Sequence, residues 1–99
     1  MKDINYNLLP EHIAAGAQRY IERGEDVGDF LRAVICNDLK ESFGRADAVN
    51  RARMFEIVSF FYNEAPGSCW GSPQAMTKWM QHQGMQGLGY SPAGERLRL

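Results

Sequence analysis

Two cysteines and two histidines are the residues of this chain best suited to nucleophilic or metal chemistry. They occur in the order His12, Cys36, Cys69 and His82. Zinc sites commonly contain ligand pairs separated by roughly two to five residues, and these four residues lack that spacing. A histidine beside Cys69 could lower the pKa of its thiol and create a nucleophile, whereas a small apolar thiol in a tight loop is the packing alternative. We favour packing and expect neither a metal nor a cofactor.

Paired carboxylates are the other group that could do acid–base chemistry. Asp38 and Glu41 are three residues apart, so a helix would make them neighbours, but Lys40 stands between them. This pattern is typical of a solvated helix face rather than of a catalytic cleft. The glycines after residue 83 precede no lysine, and they therefore do not form a phosphate-binding loop. We predict that the protein is not an enzyme.

A cluster of arginines suggests nucleic-acid binding as an alternative. The cluster lies around the junction between the second and third predicted helices, a geometry similar to a helix-turn-helix. Its candidate contacts to nucleic acid or to an acidic partner are Arg45, Asn50, Arg51 and Arg53. Acidic neighbours and an apolar second half of the third helix argue against this alternative. A small DNA-binding regulator that uses helix 48–63 is therefore our second hypothesis.

Tryptophan and methionine side chains concentrate in the last third of the chain. Both residue types are favoured at the centres of protein interfaces. The short helix predicted there has limited core-facing surface, so some of these side chains should be exposed. The partner-binding residues that we predict are Trp70, Met76, Trp79 and Met80. Trp70 either fills the core or presents its ring to a partner, and the sequence leaves both options open.

The apolar periodicity predicts four helices to position these residues. They cover approximately residues 10–23, 30–43, 48–63 and 73–83. Pro10, Asp47 and the Ser72-Pro73 pair suit helix starts, and Gly24 and Gly44 suit helix ends. Residues 55–62 are apolar nearly all round, which favours a central helix over an isolated strand that would have no partner.

Length and composition favour one small all-α domain. The chain has 99 residues, 44% hydrophobic residues and a formal net charge of −1, and this charge balance argues against binding to nucleic acid or membrane by bulk charge alone. We predict a compact bundle of three main helices plus a short C-terminal helix in residues 1–84, followed by a flexible glycine-rich tail at 85–99. The two cysteines, the lack of an apolar leader and the lack of a membrane-length apolar run indicate a reduced cytoplasmic setting.

Several segments resemble small helical proteins encoded by tailed bacteriophages and prophages. The resemblance extends over about residues 8–80. The segments that carry it are LPEH at 9–12, YIERG at 20–24, GDFLRAVICNDL at 28–39, GRAD at 44–47, YNEAP at 62–66 and CWGSP at 69–73, together with Trp79.

This resemblance implies a phage accessory protein made in the cytoplasm of a bacterial host. Small phage proteins that lack catalytic residues commonly bind and block a host protein, including immune effectors such as CRISPR complexes. We therefore predict a non-catalytic protein that binds a bacterial host protein and inhibits or modulates host defence or regulation. A homodimer is a second expected association, nucleic acid is a weaker expectation, and no membrane is expected.

Overall fold

The computed structural model describes residues 4–88, and all regular secondary structure in that range is helical, which confirms the all-α prediction. Seven helices replace the predicted three main helices and one short helix. They are α1 (Glu11–Arg23), α2 (Asp29–Ile35), α3 (Leu39–Arg45), α4 (Ala48–Ala52), α5 (Met54–Asn63), α6 (Pro73–Gln81) and α7 (Gly84–Gly87). Short 3₁₀ turns at Tyr6–Leu8 and Gly67–Cys69 precede α1 and α6.

Helix α1 follows its sequence pattern closely. Its buried face consists of Ile13, Ala17, Tyr20 and Ile21, at the spacing of one side of a helix. Gly24 ends the helix in a left-handed conformation, with φ of 70°, and donates its N–H to the Tyr20 carbonyl. Glycine reaches this conformation without the steric cost that a side chain would add.

The second predicted helix is divided into α2 and α3 by Asn37 and Asp38. Asn37 has a left-handed backbone, with φ of 60°, and the Asp38 N–H donates to the Ala33 carbonyl over 2.9 Å. This bond closes α2 in the manner of a Schellman motif, in which asparagine can replace glycine. The Asp38 side chain then accepts a hydrogen bond from the Glu41 N–H and begins α3. The apolar stripe continues across this break, which explains why periodicity alone predicted one helix.

The third predicted helix is interrupted at Arg53, where the backbone has φ of −112° and ψ of 21°. The interruption is a kink at which one helix ends and the next begins, since Arg53 is both the cap that ends α4 and the cap that precedes α5. Arg53 N–H donates to the Val49 carbonyl over 3.0 Å, and Ile57 N–H donates to the Arg53 carbonyl over 3.0 Å. The Arg53 guanidinium reaches the Leu8 carbonyl over 3.0 Å and so joins the kink to the start of the chain.

The chain after α6 packs onto the end of α1 instead of leaving the domain at residue 85. Gly24 and Gly84 both have positive φ, and their backbones are so close that a Cβ on Gly84 would lie 2.6 Å from the Gly24 nitrogen. Met85, the first residue of the predicted flexible tail, is buried. Leu88 is exposed, and the rest of the predicted tail lies outside the described residues.

Two buried tyrosine and tryptophan groups join α1 to the C-terminal part of the domain. The Tyr20 hydroxyl donates to the Cys69 carbonyl over 2.6 Å. The Trp79 indole N–H donates to the carbonyls of Tyr20 and Ile21, over 3.1 and 3.2 Å. The Tyr20 hydroxyl thereby joins α1 to the loop before α6, and the Trp79 indole joins α6 to carbonyls in the last turn of α1. We call this region, formed by Tyr20, Gly24, Cys69, Trp79 and Gly84, the buried corner.

Within residues 4–88, every helix is too short or too polar to cross a lipid bilayer.

Candidate protein-binding site

Two of the four predicted partner-binding residues lie in the core. Met76 and Trp79 are 2% and 1% exposed, and both belong to the main hydrophobic cluster. Because its N–H has two backbone acceptors at the end of α1, the Trp79 indole is held inside the buried corner. The expectation that these two side chains face a partner is corrected, since burial removes them from the surface of this conformation.

Trp70 and Met80 are half-buried beside that core. The Trp70 ring packs against Phe61, with 5.9 Å between ring centroids. The following residue, Gly71, donates its N–H to the Ile35 carbonyl over 2.8 Å, which fixes the loop against the end of α2. Trp70 therefore contributes to packing while part of its ring stays accessible.

The predicted nucleic-acid contacts do not assemble into one basic surface. Arg45 lies beside two carboxylates, with its Nε 3.1 Å from Glu41 and a terminal nitrogen 3.6 Å from Asp29. Arg51 approaches the Ala46 carbonyl at 3.5 Å, and Arg53 is half-buried on Leu8. Guanidinium groups that are already paired with carboxylates or hydrogen-bonded to carbonyls are poorly suited to phosphate binding.

Asn50 is buried at 3% exposure, so it cannot reach a base edge in this conformation. Its backbone N–H donates to the Asp47 side chain over 2.7 Å, which caps α4 as the sequence predicts. Helix 48–63 is also kinked after Ala52, unlike the single recognition helix of the DNA-binding hypothesis. The burial of Asn50 and the kink are the structural corrections to that hypothesis.

The two thiols are held in their protonated form by burial. Burial raises the pKa of Cys69 to about 12, and the side chain is inaccessible, which confirms the packing interpretation. Burial also raises the pKa of the Cys36 thiol, against a smaller lowering by Arg32. The Cys36 Sγ contacts the Met76 Sδ at 3.7 Å, so this cysteine joins α2 to α6.

His12 lies beside Asp47, with 2.9 Å between Nε2 and Oδ2. The pKa of Asp47 is lowered, mainly by the hydrogen bond from the Asn50 N–H and further by His12. An open groove between α1 and α4 is lined by Pro10, Glu11, His12, Val49 and Arg53. The His12–Asp47 pair joins the first turn of α1 to the cap of α4.

The most exposed aromatic side chains of the described range lie on α5, on the side opposite its core residues. Phe55 and Tyr62 are 82% and 79% exposed, and Val58 between them is also exposed. Their spacing of three and four residues places them on one face of the helix. We call these three residues the outer face. It is uncharged, which is typical of the centre of a protein-binding surface.

The core side of α5 consists of Met54, Ile57, Phe60 and Phe61. The helix therefore carries two apolar faces, and only one of them packs inside the domain. Sequence reasoning missed the outer face because it took a helix that is apolar all round to be enclosed by its neighbours. The signal that could have found it is the second spacing, i, i+3 and i+7 from Phe55, which is separate from the core spacing. Among residues 4–88, the other large apolar side chains with substantial exposure are Leu8, Leu39, Phe43, Val49 and Leu88.

In the part of the chain that the structure describes, no three histidine, cysteine or acidic side chains gather closely enough to hold a metal ion. Comparisons of the chain with protein-family models, with curated proteins and with solved structures gave no match.

Proposed function

We propose that this protein is a non-catalytic binding protein whose outer face of α5 contacts a bacterial host protein. The observation that carries the proposal is the exposure of Phe55 and Tyr62 at helical spacing on an uncharged face. Burying two aromatic side chains of this kind is the usual source of binding energy at a protein interface. The fold does not need these rings, since the core of α5 is formed by its opposite side.

The biological setting of this proposal comes from the resemblance of the chain to small tailed-phage proteins. In that setting the protein acts in the host cytoplasm as an inhibitor or modulator of host defence or regulation. A blocking protein needs a stable scaffold and one apolar docking surface, and it needs no catalytic groups. The rigid attachment of α5 through its core side, next to an exposed outer face, supports this role.

Affinity capture from a bacterial lysate tests the proposal. Tagged wild-type protein should retain a host protein at near-stoichiometric amounts in high salt and after nuclease treatment, because apolar contacts are insensitive to screening. The variant Phe55→Asp should lose that host protein. Leu39→Asp is the matched control, since Leu39 is also exposed, at 70%, but lies on α3.

Equal capture by wild type and Phe55→Asp would contradict the proposed surface. Recovery of nucleic acid alone, lost as salt rises, would contradict the proposed function and return the arginine cluster to consideration.

A further inference from the structure

We infer that the host protein bound by the outer face carries an apolar groove, and that this groove encloses α5 as a preformed ligand helix. The inference rests on the proposed function, and it names the kind of partner that the surface fits. A groove that takes up one face of a helix recognises apolar anchor side chains separated by three, four or seven residues.

The outer face has the spacing of such anchors. Phe55, Val58 and Tyr62 stand at positions i, i+3 and i+7 of a single helix. At about 100° of rotation per residue, the three side chains fall within roughly 60° of the helix circumference. Phe55 and Tyr62 are 82% and 79% exposed, and Val58 is 37% exposed. The outer face is therefore a narrow ridge along one helix rather than a broad flat patch.

A polar edge borders the outer face on one side. Ser59, Asn63 and Glu56 follow Phe55 around the helix, at about 40°, 80° and 100°. Ser59 is half-buried, whereas Asn63 and Glu56 are exposed. A groove that encloses the outer face should therefore cover Ser59 with its wall and leave Glu56 at its rim, in contact with solvent.

The area of the outer face favours a concave partner over a flat one. An aromatic side chain buries roughly 150–250 Å², so the exposed parts of Phe55 and Tyr62 offer a flat partner roughly 300 Å². A stable interface buries about 800 Å² on each partner. A flat surface resting on the outer face should therefore bind weakly. A groove gains additional area, because its walls also cover the sides of the two rings, Val58 and Ser59.

The helix is fixed in the domain at both ends and on its core side. At its start, the Arg53 guanidinium donates to a carbonyl of the first 3₁₀ turn over 3.0 Å. At its end, the Asn5 N–H donates to the Glu64 carboxylate over 3.1 Å. Between them, the Tyr6 ring packs on Phe60, with 5.7 Å between ring centroids. A groove would therefore receive a helix that is already formed, which avoids the entropy cost of ordering it on binding.

Alkylation of an engineered thiol tests whether the partner encloses α5. The probe is the host protein captured by tagged wild type, identified by mass spectrometry and purified. Ser59→Cys should lose most of its reactivity with iodoacetamide when the complex forms, because the wall of the groove covers the thiol. Leu39→Cys, on the exposed side of α3, is the matched control and should react equally in the free and bound states. Wild type gives the background from Cys36 and Cys69.

A larger side chain at the same position tests the wall by steric exclusion. Ser59→Arg should lose most of its binding to the purified host protein, because the guanidinium would have to enter the apolar groove. Glu56→Arg places the same side chain at the rim and should keep most of its binding. Binding of Ser59→Arg at the wild-type level would overturn the groove. Far-ultraviolet circular dichroism of each variant checks that the fold is kept.

Failure of this inference is distinguishable from failure of the proposed function. A host protein that binds through Phe55 but leaves Ser59→Cys fully reactive overturns the groove alone. Wild type that captures no host protein overturns the proposed function, and the groove with it.

Discussion

The buried corner and the outer face of α5 contain the same class of side chain in opposite environments. Trp79 in the corner is 1% exposed and donates to two carbonyls of α1, whereas Phe55 on α5 is 82% exposed. In the buried corner, the Trp79 indole donates to carbonyls at the end of α1 and so joins α6 to α1. On α5, the Phe55 and Tyr62 rings do not pack in the core, because other residues of the helix already fill it.

The residues that stabilise the fold and the residues that we propose bind a partner therefore lie in different regions of the molecule. Substitutions in the buried corner should lower stability, and the loss of binding should follow from unfolding. Substitutions on the outer face should leave stability unchanged and remove binding directly. The four predictions below test this division, beginning with the largest expected effect.

Trp79→Ala should lower the free energy of unfolding by about 3–5 kcal/mol, because it opens a cavity and removes the indole N–H that donates to two carbonyls of α1. Phe55→Ala is the matched aromatic control and should change it by no more than about 0.5 kcal/mol. Urea unfolding of both variants measures the difference. Similar losses of unfolding free energy in the two variants would contradict the distinction between the buried corner and the outer face.

Gly84→Ala should lower the free energy of unfolding by about 2 kcal/mol or more. The new Cβ would meet the backbone nitrogen of Gly24 at 2.6 Å, and alanine would be strained at a φ of 66°. Gly28→Ala is the control, since nothing lies within 4 Å of its Cβ position, and its effect should stay within about 0.5 kcal/mol. A Gly84→Ala protein as stable as Gly28→Ala would show that the corner is not closely packed.

Tyr20→Phe should lower the free energy of unfolding by about 1–3 kcal/mol, because it leaves the buried Cys69 carbonyl without its donor. Tyr62→Phe removes the same hydroxyl from an exposed ring and should have little effect. Thermal unfolding of the pair measures this contrast. Equal losses of stability in Tyr20→Phe and Tyr62→Phe would contradict this expectation.

Asp47→Asn should have the smallest effect, confined to acidic pH. The pKa of Asp47 is lowered in the folded protein, chiefly by the Asn50 N–H and then by His12. Its stabilisation is therefore present above the usual aspartate pKa of about 4 and is lost as pH falls through the folded value. Asparagine keeps a cap but does not titrate. Below pH 4, wild type should lose stability more steeply than the variant, and parallel pH profiles would contradict this.

The fold could be predicted from the sequence where local chemistry and periodicity agree. Helix α1, with Gly24 at its end, and the starts of α4 and α6 at Asp47 and Ser72 are examples. The division at Asn37 was missed because the apolar stripe continues through it. The kink at Arg53 was also missed, and the acceptor of the Arg53 guanidinium, the Leu8 carbonyl, is distant in sequence, so no local pattern reveals the contact.

The candidate site was not predicted, because the second apolar spacing on α5 does not by itself show which of two apolar surfaces the domain encloses. Trp79 and Met76 have the residue types of an interface, yet both are buried. The end of α1 provides acceptors for the Trp79 indole, and Cys36 at the end of α2 contacts the Met76 sulfur. Phe55 and Tyr62 have the residue types of a core, yet the domain has already filled the core with Phe60 and Phe61. Tertiary contacts alone decide between these outcomes.

The most direct test uses the double variant Phe55→Ser/Tyr62→Ser. Its unfolding free energy and its capture of a host protein show whether the outer face of α5 binds a partner without stabilising the fold. We predict an unfolding free energy within about 1 kcal/mol of wild type, from two surface substitutions, together with complete loss of capture. A loss of stability above about 3 kcal/mol, which is typical of core substitutions, or undiminished capture by a folded variant, would contradict this assignment.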